Sequence, residues 1–304
     1  MKVIEDKDLR TIDVQRGADA ILNFLKQAEA GATTSPPRAV IPLEDDTIAI
    51  TAGASTEEFG FRAYTYRRGL ERDREDQIVA CWDRKTHRMK ALAVGQLLGA
   101  WRTGILGGIA YAALTRPGLE TCGVVGTGLQ AFTQVRAIAA LAKPQRFLVF
   151  SRNEQRRRAF ADALEQDTAI PAKASDDVET LVRSADALVL ATTASKPVFD
   201  MTWLERCNHV STIGPKSKHR HETPGGVAKW SEYTVTDSPQ QIAKQGDDHF
   251  LADILKLDQI DHLSNAVSSG PLNNADRRTL YLSAGLSGTE VALLDALTET
   301  KSQP

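Results

Sequence analysis

Residues 121–141 read TCGVVGTGLQAFTQVRAIAAL. A short run of small and β-branched apolar residues enters Gly126-Thr127-Gly128, and a helical pattern starts at once. Strand, glycine turn, helix is the setting in which G-x-G-x-x-A carries meaning. Gly126 permits the tight turn, Gly128 lets the backbone approach a pyrophosphate, and Ala131 keeps helix and strand close. The helix N-terminus adds free N–H groups and the positive end of a dipole. A glycine turn that packs a helix and binds nothing is the other reading of the same residues.

Outward from this turn the rhythm is strand–helix alternation. Strands are predicted at CGVVG, RFLVF, ALVLATT, HVSTIG and YTVTD, and helices at 129–142, 154–166, 176–184 and 239–256. Such alternation predicts a parallel sheet covered on both faces. The second strand, RFLVF, ends in Ser151-Arg152. A carboxylate there would bind the ribose 2′-hydroxyl of NAD and repel a 2′-phosphate. Serine and arginine can bond and pair with that phosphate, so NADP(H) is the preferred cofactor and NAD(H) a possible one. Arg152 can also be read as a solvated charge stacking on adenine.

The chain before residue 118 reads differently. Residues 13–30 carry Ala18, Ile21, Leu22, Leu25 and Ala28 on one helical face. The prolines of TTSPPRAVIPL stop that helix. From Val40 to Asp83 the segments AVIPL, TIAIT, FGFRAYTY and QIVACWD are β-branched or aromatic and turn-bounded, as strands are. The stretch AVGQLLGAWRTGILGGIAYAAL predicts a helix whose glycines and alanines pack closely on another backbone. RTLYLSAGLSGTEVALLDAL predicts a last strand, a glycine turn at Gly285 and Gly288, and a last helix.

Composition narrows the functions. A formal net charge of −2 in 304 residues gives no general attraction to nucleic acid or anionic membrane. Three widely spaced cysteines, Cys81, Cys122 and Cys207, make no disulfide framework or cysteine zinc site and suit a reducing cytosol. The charged MKVIEDKDLR has no signal-like apolar core, and no apolar run of about 18 residues is read, so no membrane span is expected. Lys216, His219 and His221 cluster in PKSKHRHE, after a predicted strand and where ligands of such sheets lie. A desolvated lysine or a histidine there can handle a proton near neutrality. A basic surface loop is the plain alternative. A metal reading of HRHE has no third ligand at suitable spacing.

The stretches SPPRAVIP, FGFRAY, LLGAWRTGILGGIA, GVVGTGLQA, SADALVLATTASKPVF, HVSTIGPKSKHRHE and LSAGLSGTEVALLDA occur in one order over nearly the whole chain. In that combination the sequence resembles the ornithine cyclodeaminase/μ-crystallin superfamily. The resemblance implies an α/β protein of two domains. One is a Rossmann NAD(P)-binding domain at 118–282. The other is a mixed α/β domain at 1–117 plus 283–304 that binds substrate and forms a homodimer. The implied reaction is hydride transfer between a nicotinamide and the Cα of a small imino or amino acid. An ammonia-eliminating cyclodeaminase with recycled NAD and a non-catalytic nucleotide-binding protein are the alternatives.

The resemblance also implies roles by position. Arg38, Arg62 and Arg102 hold the substrate carboxylate. Arg102, Thr103, Gly126, Gly128, Leu129, Gln130, Ser151, Arg152, Thr192, Gly214, Pro215 and Lys216 meet the cofactor, and Arg62, Lys216 and His219 are the catalytic candidates. Two positions depart from the family. Arg62 stands where lysine is usual, and an arginine is effectively never deprotonated. Lys216 stands where the cyclodeaminases carry their acid/base aspartate, on an alignment fixed by Gly214 and Glu222. Both departures weigh against the cyclodeaminase alternative and leave cofactor binding intact.

Overall fold

The segments between Val40 and Asp83 are strands, as their β-branched and turn-bounded composition predicts, and they join in a meander. In a computed structural model, residues 1–67, 76–271 and 277–298 are described. Strands β2 (Ala39–Leu43), β3 (Asp46–Ala54), β4 (Glu58–Arg67), β5 (Gln77–Asp83) and β6 (Met89–Val94) pair antiparallel in succession. β1 (Lys2–Glu5) adds itself parallel to β6. Neither β1 nor β6 is legible in the sequence, because KVIE and MKALAV are short and carry charges. Helix α1 (Val14–Glu29) starts at Asp13, whose carboxylate accepts from the Arg16 N–H, a side-chain N-cap. It buries Ala18, Ile21 and Leu25 as expected, and also Phe24, while Leu22 and Ala28 are only half-buried.

Helix α2 (Leu97–Leu114) begins after the expected AV, which closes β6. By length and apolar composition alone it would suffice to cross a membrane, but 83% of it is buried inside the protein, as in a core helix. A Cβ at Gly104 or Gly108 would collide with Thr133 or Ala137 of α3 (Leu129–Leu141), and one at Gly107 would displace the Gln134 amide. The small residues therefore serve the close packing their composition implies.

That packing accounts for where the chain divides. One unit comprises Met1–Arg102 and Leu286–Pro304, the other Thr103–Gly285. The division falls inside α2 rather than at residue 117, because the glycine-rich half of the helix packs on α3. Residues 68–75 and 299–304 of the expected first domain, and 272–276 of the second, lie outside the described residues.

The second unit holds an eight-stranded, fully parallel sheet. Its members are β7 (Thr121–Val125), β8 (Arg146–Phe150), β9 (Ala172–Ala174), β10 (Ala187–Leu190), β11 (His209–Thr212), β14 (Tyr233–Thr236), β15 (Asp261–His262) and β16 (Thr279–Leu282). The spatial order is β15-β14-β16-β11-β10-β7-β8-β9. The chain leaves β7 toward β8 and β9, then crosses back to lay β10 on the other side. This reversal leaves a crevice outside the carboxyl ends of β7 and β10, where such sheets bind ligands. α3 and α4 (Glu154–Thr168) contribute to the core on one face, with Val124, Val135, Phe147 and Leu164. Helix α5 (Val178–Ser184) packs on the other, with Leu181, Leu188, Val210 and Leu282. The three cysteines are free and buried, and burial pushes each thiol up to about 12.

The helix expected over 239–256 is corrected. α7 spans only Pro239–Gln245, after the four-residue α6 (Val227–Trp230). Gly246, at φ +53, turns the chain out of the helix. Residues 248–250 then run alongside the hairpin of β12 (Lys216–Ser217) and β13 (Arg220–His221): the Phe250 N–H donates to the Lys216 carbonyl at 2.9 Å, and Ser217 bridges His249. α8 (Leu263–Ser269) follows β15, and α9 (Thr289–Thr298) closes the chain as predicted.

Candidate active site

In the second unit, the expected cofactor residues other than Thr103, which lies on α2, follow the carboxyl ends of the adjacent strands β11, β10, β7 and β8. Gly126, at φ +118, is demanded by the fold, since a Cβ there would collide with the Ala191 carbonyl at the end of β10. Gly128 is different. It caps α3 with φ −89, a conformation open to any residue, and a Cβ there would meet nothing within 4 Å. The protein itself does not need glycine at 128, whereas a pyrophosphate laid on the backbone would. α3 has no side-chain cap, so its first N–H groups remain available to phosphate. Beside them Leu129 is exposed, and the buried Gln130 Oε1 has no partner. These residues fit a dinucleotide.

Ser151 and Arg152 follow β8 directly. The Ser151 hydroxyl donates to the Asn153 carbonyl at 3.1 Å, Asn153 caps α4, and Arg152 is exposed. Behind them lies Arg157, in the charged run RRR at 156–158. Its guanidinium is buried, donates to the Ser151 carbonyl at 3.3 Å and lies 5.8 Å from the Phe150 ring.

Glu222 organises the ends of β10 and β11. This fully buried carboxylate accepts from the Thr192 N–H and hydroxyl at 2.8 and 2.7 Å, the Thr212 hydroxyl at 2.8 Å and the Gly214 N–H at 2.6 Å. Thr192 thus spends its hydroxyl proton on Glu222. In the sequence Glu222 was only an alignment marker. Lys216, next to half-buried Pro215, is buried, and its ammonium donates to the Gly214 carbonyl at 2.9 Å. Burial pulls Lys216 down to about 8, with Glu222 and Asp237 opposing the fall. His219 stands exposed at the turn of the β12–β13 hairpin, and His221 stacks on Phe250 at 5.1 Å.

His249, hidden in the sequence by the misread helix, is fully buried. Its Nδ1 accepts from the Leu251 N–H at 3.2 Å, so the neutral ring carries its proton on Nε2, which has no partner. Burial first, and the charge of Lys216 second, pull it down to about 4, so it is neutral near pH 7.

The three arginines expected to hold a substrate carboxylate, Arg38, Arg62 and Arg102, lie in the first unit, Thr103 in the second. Asp6 accepts the Gln96 and Leu97 N–H groups at 3.0 and 2.8 Å, and the Trp101 indole N–H donates to the Leu9 carbonyl at 2.8 Å; these bonds fix the start of α2 and so place Arg102. Arg102 and Arg62 both donate to one oxygen, Oε1 of the buried Glu290, Arg62 at 3.2 Å. Gln77 accepts from Arg62 Nε at 2.9 Å. Tyr64 carries the Arg62 guanidinium 4.5 Å and the Arg38 guanidinium 5.8 Å from its ring centroid. Glu290 Oε2 and Arg102 Nε are buried without hydrogen bonds. Burial alone would raise the Glu290 carboxyl, but Arg102 and then Arg62 hold it below the usual range. Burial pulls Arg62 down, Glu290 opposes this, and Arg102 adds to the pull. Thr103 lends its carbonyl to the Gln134 amide at 2.9 Å.

A family model described as "Ornithine cyclodeaminase/mu-crystallin family" matches residues 6–303. Among curated proteins, the chain is 27% identical over 288 residues to a Delta(1)-pyrroline-2-carboxylate reductase of Bacillus cereus, covering 90% of this chain and 88% of that one. Among solved structures, it resembles a Thermococcus litoralis Delta(1)-pyrroline-2-carboxylate reductase in complex with NADH and L-proline, at TM-score 0.83 and 22% identity over 98% and 96% of the two chains. It also resembles an iminosuccinate reductase of Paracoccus denitrificans in complex with NAD+, at TM-score 0.83 and 19% identity over 98% and 95%.

Proposed function

The chain belongs to the ornithine cyclodeaminase/mu-crystallin family, and on that footing we propose how its residues divide the work of reducing an imino acid. The protein is a nicotinamide-dependent oxidoreductase acting on the C=N or C–N bond of a small imino or amino acid. The nicotinamide supplies a hydride to the carbon of that bond. Arg38, Arg62 and Arg102 grip the substrate carboxylate, and Lys216 gives the proton that the nitrogen takes up. Thr103, Gly126, Gly128, Leu129, Gln130, Thr192, Gly214 and Pro215 receive the cofactor, and Ser151 and Arg152 favour NADPH over NADH at its ribose. His219, exposed on its turn, has no part in this proposal.

The observation that carries this reading is the sharing of one Glu290 oxygen by two guanidiniums. Two buried positive charges against one negative leave an excess that a carboxylate neutralises, and guanidinium forks suit it bidentately. Arg62 cannot release a proton, so it orients and does not titrate. Lys216, pulled to about 8, is charged at neutral pH and close enough to its pKa to give its proton up. The proposed homodimer has its own support: β2 exposes Val40, Ile41 and Leu43 along a sheet edge that would otherwise invite aggregation.

The test is absorbance at 340 nm with cyclic imino acids, and with 2-oxo acids plus ammonia or small amines, under NADPH and NADH. Stoichiometric loss of reduced cofactor is expected. Ammonia release from a diamino acid under NAD, with no net absorbance change, would make the protein a cyclodeaminase, and saturable binding alone would make it a binding protein.

A further inference from the structure

The Arg157 guanidinium is a buried charge with a poor counter-ion. Its side chain is 9% exposed, and its one acidic partner among the described residues, Asp176, is 91% exposed and lies 3.6 Å away. Arg157 Nε has no hydrogen-bond partner at all. A carboxylate that stays in water compensates a buried cation weakly, because solvent screens it and the pair is held loosely. Asp176 itself follows β9, the strand beside β8, so it too stands at the carboxyl end of the sheet.

The place of this cation matters. It bonds the carbonyl of Ser151, the residue at the position where NAD-selective sheets of this kind carry an acid for the ribose 2′-hydroxyl. A 2′-phosphate at that position brings about two negative charges and three acceptor oxygens. Arg152 is exposed and hydrated, whereas Arg157 is already ordered by Phe150 and Ser151 and loses little freedom on pairing.

We propose that Arg157 is the principal cation for the 2′-phosphate of NADPH and that Asp176 is its stand-in anion, given up when the phosphate arrives. This rests on the proposed NADPH preference and assigns it to residues outside the expected set. No covalent step is involved; one ion pair is exchanged for another. Asp176 therefore acts against NADPH and is neutral toward NADH.

The experiment titrates NADPH and NADH by fluorescence against the full chain, its Asp176→Asn variant and its Arg157→Lys variant. Asp176 is on the surface, so Asp176→Asn folds whatever becomes of Arg157→Lys. Asp176→Asn is expected to tighten NADPH about threefold and leave NADH unchanged. Arg157→Lys keeps the charge but loses the fork, and is expected to weaken NADPH about tenfold, near 1.4 kcal/mol, with NADH within twofold. If the natural chain prefers NADPH but Asp176→Asn changes neither cofactor, or Arg157→Lys weakens both equally, Arg157 merely props the turn and the inference falls while the preference stands. If the natural chain binds both cofactors equally yet Asp176→Asn gains affinity for NADPH alone, the exchange is supported and the preference is wrong.

Discussion

Glu290 in the first unit and Glu222 in the second are both buried carboxylates, and they are satisfied by opposite means. Glu290 meets two guanidiniums at one oxygen and leaves the other oxygen unbonded. Among the described residues Glu222 meets no arginine; it takes four hydrogen bonds from neutral donors at the ends of two strands. The first arrangement leaves positive charge over and is suited to an incoming anion. The second fixes backbone positions and leaves a negative charge that helps keep the nearby lysine protonated. Buried charge thus leaves positive charge over in one unit and fixes geometry in the other.

If that contrast is right, the largest loss follows from Lys216→Met, the variant that removes the titrating group Glu222 supports. Proton delivery is worth about two to four decades of rate, so kcat is expected to fall by 10²–10⁴ with cofactor affinity within about twofold. Stopped-flow single turnovers decide it; an unchanged kcat removes Lys216 from the chemistry.

Next comes Glu290→Ala. Removing one partner of a buried ion pair typically costs about 3–5 kcal/mol, because the remaining charge is stranded. Urea unfolding should show a loss of that size. A loss below about 1 kcal/mol would mean that the two arginines are solvated without Glu290, and the contrast with Glu222 would collapse.

A smaller effect is expected of Arg62→Lys. One charge survives but the planar fork does not, so KM should rise by roughly tenfold while NADPH affinity stays put. An unchanged KM would take Arg62 out of substrate binding.

The gentlest test is pH. Lys216 falls to about 8 from an ordinary 10.5, so between those values the unfolded chain binds the extra proton and stability rises with pH. Below about pH 8 the lysine is charged in both states and the burial penalty is fully present. The stability gained by Lys216→Met should therefore shrink between pH 8 and pH 10.5, and the natural enzyme's kcat should decline above about pH 8. A constant gap across that window would show that Lys216 is not desolvated.

What the sequence made legible follows the same physics. The β7 turn and the strands beside it could be read because glycine chemistry and apolar periodicity are local signals. Glu290 could not, because it sits in VALLDAL-type helix text and its partners lie 228 and 188 residues away. His249 was lost because Ile242, Phe250, Leu251 and Leu255 imitate a helical face, and only Gly246 betrays the break. Arg157 carries no sequence signal, because its burial is set by Phe150 and the turn before it, not by its own neighbours. Lys216 could be found by its place after β11, but its burial could not.

Those separations of 228 and 188 residues also set a schedule for the nascent chain. All strands of the parallel sheet lie between Thr121 and Leu282, so the ribosome completes that unit in one uninterrupted stretch. The first sheet is translated earlier, yet the carboxylate that neutralises its arginines emerges last. At about 5–20 residues per second, Arg102 waits roughly 10–40 s for Glu290. Throughout that interval the early half of the protein carries an unfinished electrostatic core.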